Sequence, residues 1–209
     1  MFYFTKAPWF LKIIYMNCIW QMQGNKKALY LSFDDGPHPL ITPFVLDELK
    51  KYGAKATFFC IGKNVLEHNT IYSRIIAEGH KVGNHTQNHL NGWKTEDEIY
   101  LNDIAEAKKC IDSELFRPPY GKITKFQLKQ LATPRFQLKS VMWSVLSGDF
   151  DIKLSPEKCL RNVLKNTTSG SIIVFHDSEK AFERLEYVLP KVLDHFSAKG
   201  YSFDTIEKI

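Results

Sequence analysis

Two adjacent carboxylates are the first candidates for chemistry, because Asp34 and Asp35 directly follow an apolar run and precede Gly36 and Pro37. In a dry pocket both could not stay ionised without a cation or a hydrogen-bond donor beside them. A bound metal ion would resolve that conflict for one of the two. Asp-Gly-Pro is also an ordinary turn sequence, so the motif alone favours a turn.

His85 and His89 have the i, i+4 spacing that places two imidazoles on one face of a helical turn. This is a common arrangement for a first-row metal, and a carboxylate as third ligand would leave a coordination position open for catalysis. Thr86, not a glutamate, follows His85, so the zinc-protease pattern is absent and a catalytic base must come from elsewhere. Two unrelated polar histidines remain the alternative interpretation.

Two further polar groups lie later in the chain. Residues 117–120 read Arg-Pro-Pro-Tyr, so Arg117 could clamp a carboxylate while the stiff turn aims a backbone N–H. His176 lies between Phe175 and Asp177 and could act as a general acid. A histidine at a strand end is more often simply a hydrogen-bonded polar group. Each motif is weak alone, and their weight comes from their combination.

Apolar runs precede these polar groups and predict the strands that would position them. We expect strands over residues 28–33, 56–61, 81–83, 138–145, 171–175 and 201–206. Helical patterns alternate with the runs, which predicts parallel strands covered by helices, as an α/β barrel or an open α/β sheet. In both, the carboxyl ends of the strands converge on one face, where scattered residues can form one site.

Local signals predict where several helices begin. Thr42 is expected to be the N-cap of a helix with Pro43 at its first position. Thr95 and Glu98 match a capping box, and Ser155 is expected to cap a later helix.

Composition indicates one folded domain and argues against a nucleic-acid partner. The 209 residues carry a formal charge of +5, but the lysines are spread along the chain, so we expect no nucleic-acid binding. The four cysteines lie far apart and are expected to be reduced thiols.

The first 24 residues form an apolar and aromatic N-terminal segment ahead of a domain over residues 25–209. Lys6, Pro8 and Lys12 interrupt its apolar stretch, and no small-residue cleavage site follows, which argues against a signal peptide or an anchor. We expect the segment to pack on the domain or, as the second choice, to lie at a membrane surface. The expected location is cytoplasmic or peripheral to the membrane, with export by another route left open.

Together the motifs resemble the NodB-type polysaccharide deacetylase family, carbohydrate esterase family 4. The resemblance covers residues 28–206 and rests on Asp-Asp-Gly-Pro, His-x-x-x-His, Arg-Pro-Pro-Tyr and Val-Phe-His in this order. It implies a distorted (β/α) barrel and a hydrolase that removes acetyl groups from an N-acetylated, or alternatively O-acetylated, carbohydrate. It also implies one divalent metal ion, zinc ahead of cobalt or nickel, and an acetylated oligo- or polysaccharide, such as a cell-envelope glycan, as the partner.

The resemblance assigns the metal and its neighbours residue by residue. Asp35, His85 and His89 would bind the metal, while Asp34 would activate water and Arg117 would orient Asp34.

It also assigns the rest of the site. The backbone N–H of Tyr120 would stabilise the oxyanion, and His176 would protonate the leaving group. Pro119 and Tyr120 would contact the substrate, and Val174 stands where relatives carry a leucine that lines the acetyl-methyl pocket.

The fourth family motif departs from its pattern. Relatives commonly show Asp-x-x-Asp-Trp, whereas residues 146–150 read Leu-Ser-Gly-Asp-Phe, so Leu146 and Phe150 replace the aspartate and the tryptophan. We expect Leu146 to leave His176 without its usual carboxylate partner and therefore with a lower pKa. The role of Asp149 stays open at this stage.

Two other functions compete with this interpretation. A metal-dependent phosphoester hydrolase would usually need two metals with bridging ligands, and only one ligand set is visible. A non-catalytic carbohydrate-binding homologue would fit the altered fourth motif, but it would more naturally have lost Asp34 or a metal ligand. The sequence indicates neither the glycan nor the oligomeric state.

Overall fold

A computed structural model describes residues 3–24 and 27–207. Its strands, numbered in chain order, are β1 Ala28–Asp34, β2 Ala56–Cys60, β3 Lys81–Asn84, β4 Leu115–Phe116, β5 Lys139–Ser140, β6 Val145–Leu146, β7 Ile172–His176 and β8 Ser202–Phe203. These strands pair in parallel in the order β5-β4-β3-β2-β1-β7-β6, and β8 pairs in parallel with the start of β1. The sheet curves into an incomplete barrel, which confirms the predicted fold class.

Helices connect the strands and cover the outside of the sheet. They are α1 Trp9–Ile14, α2 Ile41–Lys51, α3 Gly62–Glu67, α4 Asn69–Ala77, α5 Asp97–Lys108, α6 Lys125–Leu131, α7 Pro156–Asn166 and α8 Glu179–Ala198. A single 3₁₀ turn spans Pro119–Gly121. None of the helices in the described ranges is both long and apolar enough to cross a lipid bilayer.

The two faces of the sheet differ in chemistry, because side chains alternate along each strand. In β1, Phe33 belongs to the large core and stacks on Phe58 and Phe175 at ring distances of 5.1 and 5.8 Å. Ser32 and Asp34, on either side of Phe33, therefore face the barrel interior. The same alternation along β7 makes its last residue, His176, point to the interior. The barrel interior is therefore polar at the carboxyl ends of these two strands.

The N-terminal segment closes the gap between β5 and β6, the two ends of the sheet. On one side, the Ala7 N–H donates to the carbonyl of Ser144, just before β6, at 3.0 Å. On the other side, the Ile19 N–H donates to the carbonyl of Ser140 at 2.9 Å, and its carbonyl accepts from the Met142 N–H at 2.8 Å. The segment thus supplies hydrogen bonds that two bare sheet edges would otherwise lack.

Most predicted strands are confirmed, but two are not. The single strand predicted over residues 138–145 is wrong, because the chain leaves β5 after Ser140, crosses the gap, and starts β6 at Val145. The closing strand predicted over residues 201–206 is reduced to β8. Sequence alternation does not reveal where a strand meets a partner, and the partner decides its length.

Two predicted helix starts are also wrong. The helix α2 begins before Thr42, whose hydroxyl instead donates to Asp177 and accepts from the His38 N–H. The expected capping box at Thr95 is absent, since Glu96 occupies the N-cap position of α5. Ser155 does cap α7, as predicted, by accepting from the backbone N–H at its third helical position.

Replacing Ile19 by alanine tests whether the N-terminal segment belongs to the cooperative core. Ile19 is 5% exposed and packs in a cluster with Val141 and Ile172, so Ile19→Ala should lower the free energy of unfolding by about 2–4 kcal/mol in urea denaturation. Ile13 in α1 is 58% exposed, and Ile13→Ala should change that free energy by less than about 0.5 kcal/mol. Equal midpoints for the two variants would mean that the segment unfolds independently.

Candidate active site

The predicted site residues converge at the carboxyl ends of the parallel strands. Asp34 ends β1 and His176 ends β7, and the two are direct partners in the register of these strands. His85 directly follows β3, and Arg117 directly follows β4. Scattered sequence positions therefore form one site, as the expected topology requires.

Arg117 is fully buried and holds Asp34 from inside the barrel. Its Nη1 donates to Asp34 Oδ1 and to Ser32 Oγ, each at 2.7 Å. Its Nε and Nη2 donate to the carbonyls of Val141 and Met142 at 3.2 and 3.0 Å. Burial lowers the Arg117 pKa from its usual value, and the Asp34 charge opposes that shift. These bonds fix the orientation of Asp34, because its Oδ1 accepts from a guanidinium that is itself held by three other acceptors.

Asp35, His85 and His89 form the predicted cluster of metal-binding atoms. One candidate ligand atom from each lies within 4.8 Å of the others. Asp35 Oδ1 is 3.2 Å from His89 Nε2 and 3.7 Å from His85 Nε2. That oxygen is buried and has no hydrogen-bond partner among the described residues. A buried orphan carboxylate oxygen facing two imidazoles fits a cation.

The protonation of these ligands also suits a cation. His85 Nδ1 lies 2.7 Å from the carbonyl of Arg117, to which it can donate, so Nε2 keeps its lone pair for the cluster. Burial lowers the His85 pKa to about 4, which keeps the ring neutral. Burial alone would raise the Asp35 pKa, but the nearby imidazole of His89 and the positive charge of His176 lower it overall.

The segment between the two histidines is a loop, so the predicted helical turn is wrong. Thr86 and His89 adopt left-handed backbone conformations with φ of 65° and 58°. The conformation is held by Asp103 of α5, whose Oδ2 accepts from the backbone N–H groups of Gln87 and Asn88, both at 3.0 Å. Sequence spacing pointed to the histidines that cluster with Asp35, but the geometry of their loop comes from a distant carboxylate that no local signal marks.

A second buried carboxylate supports the loop that carries Asp35. Asp177 Oδ1 accepts from the Gly36 N–H at 3.0 Å, and Oδ2 accepts from the Thr42 hydroxyl. A Cβ atom at Gly36 would lie 2.1 Å from Asp177 Oδ2, so only glycine fits there. Burial raises the Asp177 pKa to about 8. On the other side, Asn64 Nδ2 donates to the carbonyl of Asp35 at 2.7 Å.

His176 has a carboxylate partner, which corrects the expectation built on Leu146. Asp149 Oδ1 is 2.8 Å from His176 Nδ1, and its Oδ2 accepts from the His176 backbone N–H at 2.7 Å. Arg184 of α8 donates from Nε to the carbonyl of Asp149 at 2.6 Å and so fixes this residue. Burial lowers the His176 pKa, but the charge and hydrogen bond of Asp149 raise it more, to about 9. The predicted decrease is therefore wrong.

An aromatic pair from distant parts of the chain, Tyr3 and Phe150, forms the wall beside His176. The Phe150 ring lies 5.3 Å from the His176 ring, and Tyr3 packs on Phe150 at 5.1 Å. The Tyr3 hydroxyl donates to Asp151 at 3.1 Å. Tyr3 was not among the predicted site residues, because nothing in the local sequence shows that the N-terminal segment reaches this loop.

The residues expected to contact substrate lie around the same opening. Tyr120 is 55% exposed, has a φ of 60°, and its ring lies 4.6 Å from that of His89. Pro119 is buried beneath it, in the 3₁₀ turn. Val174 is buried two residues before His176 in β7, and Leu146 is its register partner in β6. The side chains of Val174 and Leu146 therefore form an apolar interior layer below His176.

Comparisons with known proteins identify relatives of this chain. A family model described as polysaccharide deacetylase matches residues 21–135. The chain is 36% identical over 196 residues to a peptidoglycan-N-acetylglucosamine deacetylase of Bacillus cereus, covering 91% of each chain. It is 35% identical over 160 residues to a chitooligosaccharide deacetylase of Azorhizobium caulinodans, covering 73% of this chain and 75% of that one.

A solved structure extends the likeness to the fold. The crystal structure of the Bc1960 peptidoglycan N-acetylglucosamine deacetylase, in complex with a 4-naphthalen-1-yl-N-oxidanyl-benzamide, superposes with a TM-score of 0.84 at 34% identity and covers 94% of both chains. The resemblance stated from the motifs is thereby confirmed. The chain belongs to the polysaccharide deacetylase family, the carbohydrate esterases of family 4, and is a carbohydrate deacetylase.

Proposed function

We propose that this chain hydrolyses the N-acetyl group of N-acetylhexosamine residues in a cell-envelope glycan and requires one divalent metal ion, with zinc the best fit. The observation that carries the proposal is the placement of Asp34 and His176. They end adjacent strands, each is held by its own charged partner, and both lie beside the Asp35, His85 and His89 cluster.

The ligand set supports a zinc-type ion. One carboxylate oxygen and two imidazole nitrogens match the three protein ligands of a catalytic zinc site that keeps a fourth position open. Cobalt and nickel accept the same ligands. When bound, such an ion polarises a carbonyl group and lowers the pKa of water.

Asp34 is proposed as the general base. Arg117 bonds to its Oδ1, which leaves Oδ2 available to take a proton from water. A positioned base of this kind accelerates a reaction by roughly 10²–10⁴-fold.

The backbone N–H of Tyr120 is proposed as the donor to the oxyanion. The two hydrogen bonds inside the 3₁₀ turn come from Gly121 and Lys122, which bond to the carbonyls of Pro118 and Pro119. Tyr120 adopts a left-handed backbone conformation, which is strained for a residue other than glycine and occurs often at active sites. One such donor is worth roughly 10²–10³-fold in turnover.

His176 is proposed as the general acid that protonates the leaving amine. Asp149 keeps its ring protonated through neutral pH and fixes its Nδ1, so that Nε2 can deliver a proton. The layer of Val174 and Leu146 below it is apolar and suits the acetyl methyl group.

The substrate class rests on the relatives. The names of two of them specify peptidoglycan N-acetylglucosamine and chitooligosaccharide, which are N-acetylated glycans. This favours N- over O-deacetylation. Among the described residues only one cluster of metal-binding side chains is present, which disfavours a two-metal phosphoester hydrolase. A non-catalytic homologue would not need both Asp34 and His176 with their partners in place.

Acetate release from N-acetylglucosamine oligomers tests the function. Wild-type protein should release acetate, lose this activity after chelation, and regain it with zinc. Asp34→Asn should lower turnover by roughly 10²-fold or more while keeping its metal, because the base is lost and the shape is kept. No acetate from any acetylated oligomer, in metal-loaded and folded protein, would refute the proposal.

Elemental analysis of zinc-loaded protein tests the ligand assignment. We expect one ion per chain in the wild type and little metal in His89→Ala, which removes one of two imidazoles. His195 lies in α8, far along the chain from the cluster, and His195→Ala is the matched control that should keep its metal. Full metal content in His89→Ala would show that the ligands are misassigned.

The pH dependence tests the role of Asp149. His176 must be protonated to act as an acid, so kcat/KM should fall as the pH rises through its pKa of about 9. Asp149→Asn removes the charge that raises this pKa and should move the alkaline limb to lower pH by roughly one unit or more. Asp151→Asn, in the same loop but paired with Tyr3, should leave the limb in place. An unshifted limb in folded Asp149→Asn would mean that another group is titrating.

A further inference from the structure

The N-terminal segment carries an exposed apolar surface that the active site does not use. We call it the apolar ridge and define it by Phe4, Trp9, Phe10, Ile13, Ile14 and Met16. Trp9 and Met16 are each 73% exposed, and Ile13 is 58% exposed. The ring of Phe10 contacts those of Phe4 and Trp9 at 6.4 and 6.3 Å, so the aromatic members form one surface.

The fold does not explain this ridge. The helix α1 has no buried residue, whereas the segment is anchored to the barrel on either side of it, by Ala7 and by Cys18 and Ile19. A six-residue helix gains little stability from its own hydrogen bonds. Isolated exposed apolar residues are normal, but six large ones between Phe4 and Met16 indicate a binding surface.

Charge indicates which partner the ridge fits. Lys6 and Lys12 lie between ridge residues in the sequence, and the first 24 residues contain no aspartate or glutamate. Asp151 contacts the segment through Tyr3, at the end that reaches the active site. Aromatic and aliphatic side chains with interspersed lysines are typical of segments that lie on anionic lipid surfaces.

A glycan would need a different surface. Sugar rings stack on aromatic side chains but also require several hydrogen-bond partners, whereas Ile13, Ile14 and Met16 offer none. The aliphatic half of the ridge therefore favours the acyl boundary of a bilayer over a polysaccharide.

We infer that the apolar ridge binds the surface of a lipid bilayer that contains anionic phospholipid. The ridge lies on the membrane, with Trp9 and Ile13 at the acyl boundary and the lysines at the headgroups. Phe4 belongs to the ridge, and its neighbour Tyr3 packs on Phe150 beside His176. Lipid binding therefore holds this wall of the site near the membrane. The contact is peripheral and reversible, because the buried area is small.

Co-sedimentation of the full chain with vesicles tests the inference. Vesicles of phosphatidylcholine with about a quarter phosphatidylglycerol should bind the protein, and vesicles of phosphatidylcholine alone should bind it more weakly. Trp9→Ala and Ile13→Ser should each weaken binding about tenfold, because each removes a large apolar side chain from the contact. Ile76 of α4 is 50% exposed, and Ile76→Ser is the matched control that should bind like the wild type.

Several results would overturn the inference. One is the absence of vesicle binding by folded wild-type protein, and another is binding as strong as that of the wild type in both Trp9→Ala and Ile13→Ser. A third is a Trp9-dependent dimer, or Trp9-dependent binding to chitin, in place of vesicle binding. Acetate release from soluble oligomers should be unchanged in Trp9→Ala, since α1 lies outside the catalytic residues. Loss of lipid binding and loss of the proposed activity are therefore separate outcomes.

Discussion

The buried ion pair of Arg117 and Asp34 is the interaction on which the rest of the site depends. An arginine inside a barrel is tolerated only if its donors are satisfied, and here they bond to β1 and to the chain that crosses from β5 to β6. Breaking such a pair from one side typically destabilises a protein by about 3–5 kcal/mol, because the remaining charge is left unpaired. The same bonds that satisfy Arg117 therefore determine the orientation of Asp34 and tie the chain that crosses from β5 to β6 to the barrel interior.

Around this pair, the loops with unusual backbone conformations are held by buried polar side chains from other elements. Asp35, Thr86, His89 and Tyr120 all have φ between 58° and 84°, and all four lie at the site. Each such residue is unfavourable by about 1–3 kcal/mol, so the conformations persist only where neighbours determine them. Asp103 and Asp177 provide this support for the histidine loop and for the Asp35 loop. Strain and its support therefore occur together where ligands must converge.

The fold class could be predicted from local pattern in the sequence, and so could the convergence of the candidate site residues at the carboxyl ends of the strands. Apolar runs ending in polar residues predict parallel strands, and parallel strands place Asp34 and His176 side by side. The supporting residues could not be found in this way. The partners of Thr42 and Asp149 lie 135 and 27 positions away, and only the folded chain brings them together. The helix start predicted at Thr42 failed for the same reason, because the Thr42 hydroxyl bonds to Asp177.

The fourth motif shows why a missing motif residue is weak grounds for a changed mechanism. The proposed acid role of His176 needs an anion within hydrogen-bond distance of Nδ1, and that anion can come from any position in the sequence. Asp149 meets the requirement, with its backbone fixed by Arg184, while Leu146 occupies an apolar position beside Val174. Phe150 is a smaller ring than tryptophan, and Tyr3 packs against it from the N-terminal segment. The site is therefore completed by the N-terminal segment, which the sequence alone places outside the catalytic domain. Packing of this segment on the barrel both closes the gap between β5 and β6 and completes the wall beside His176.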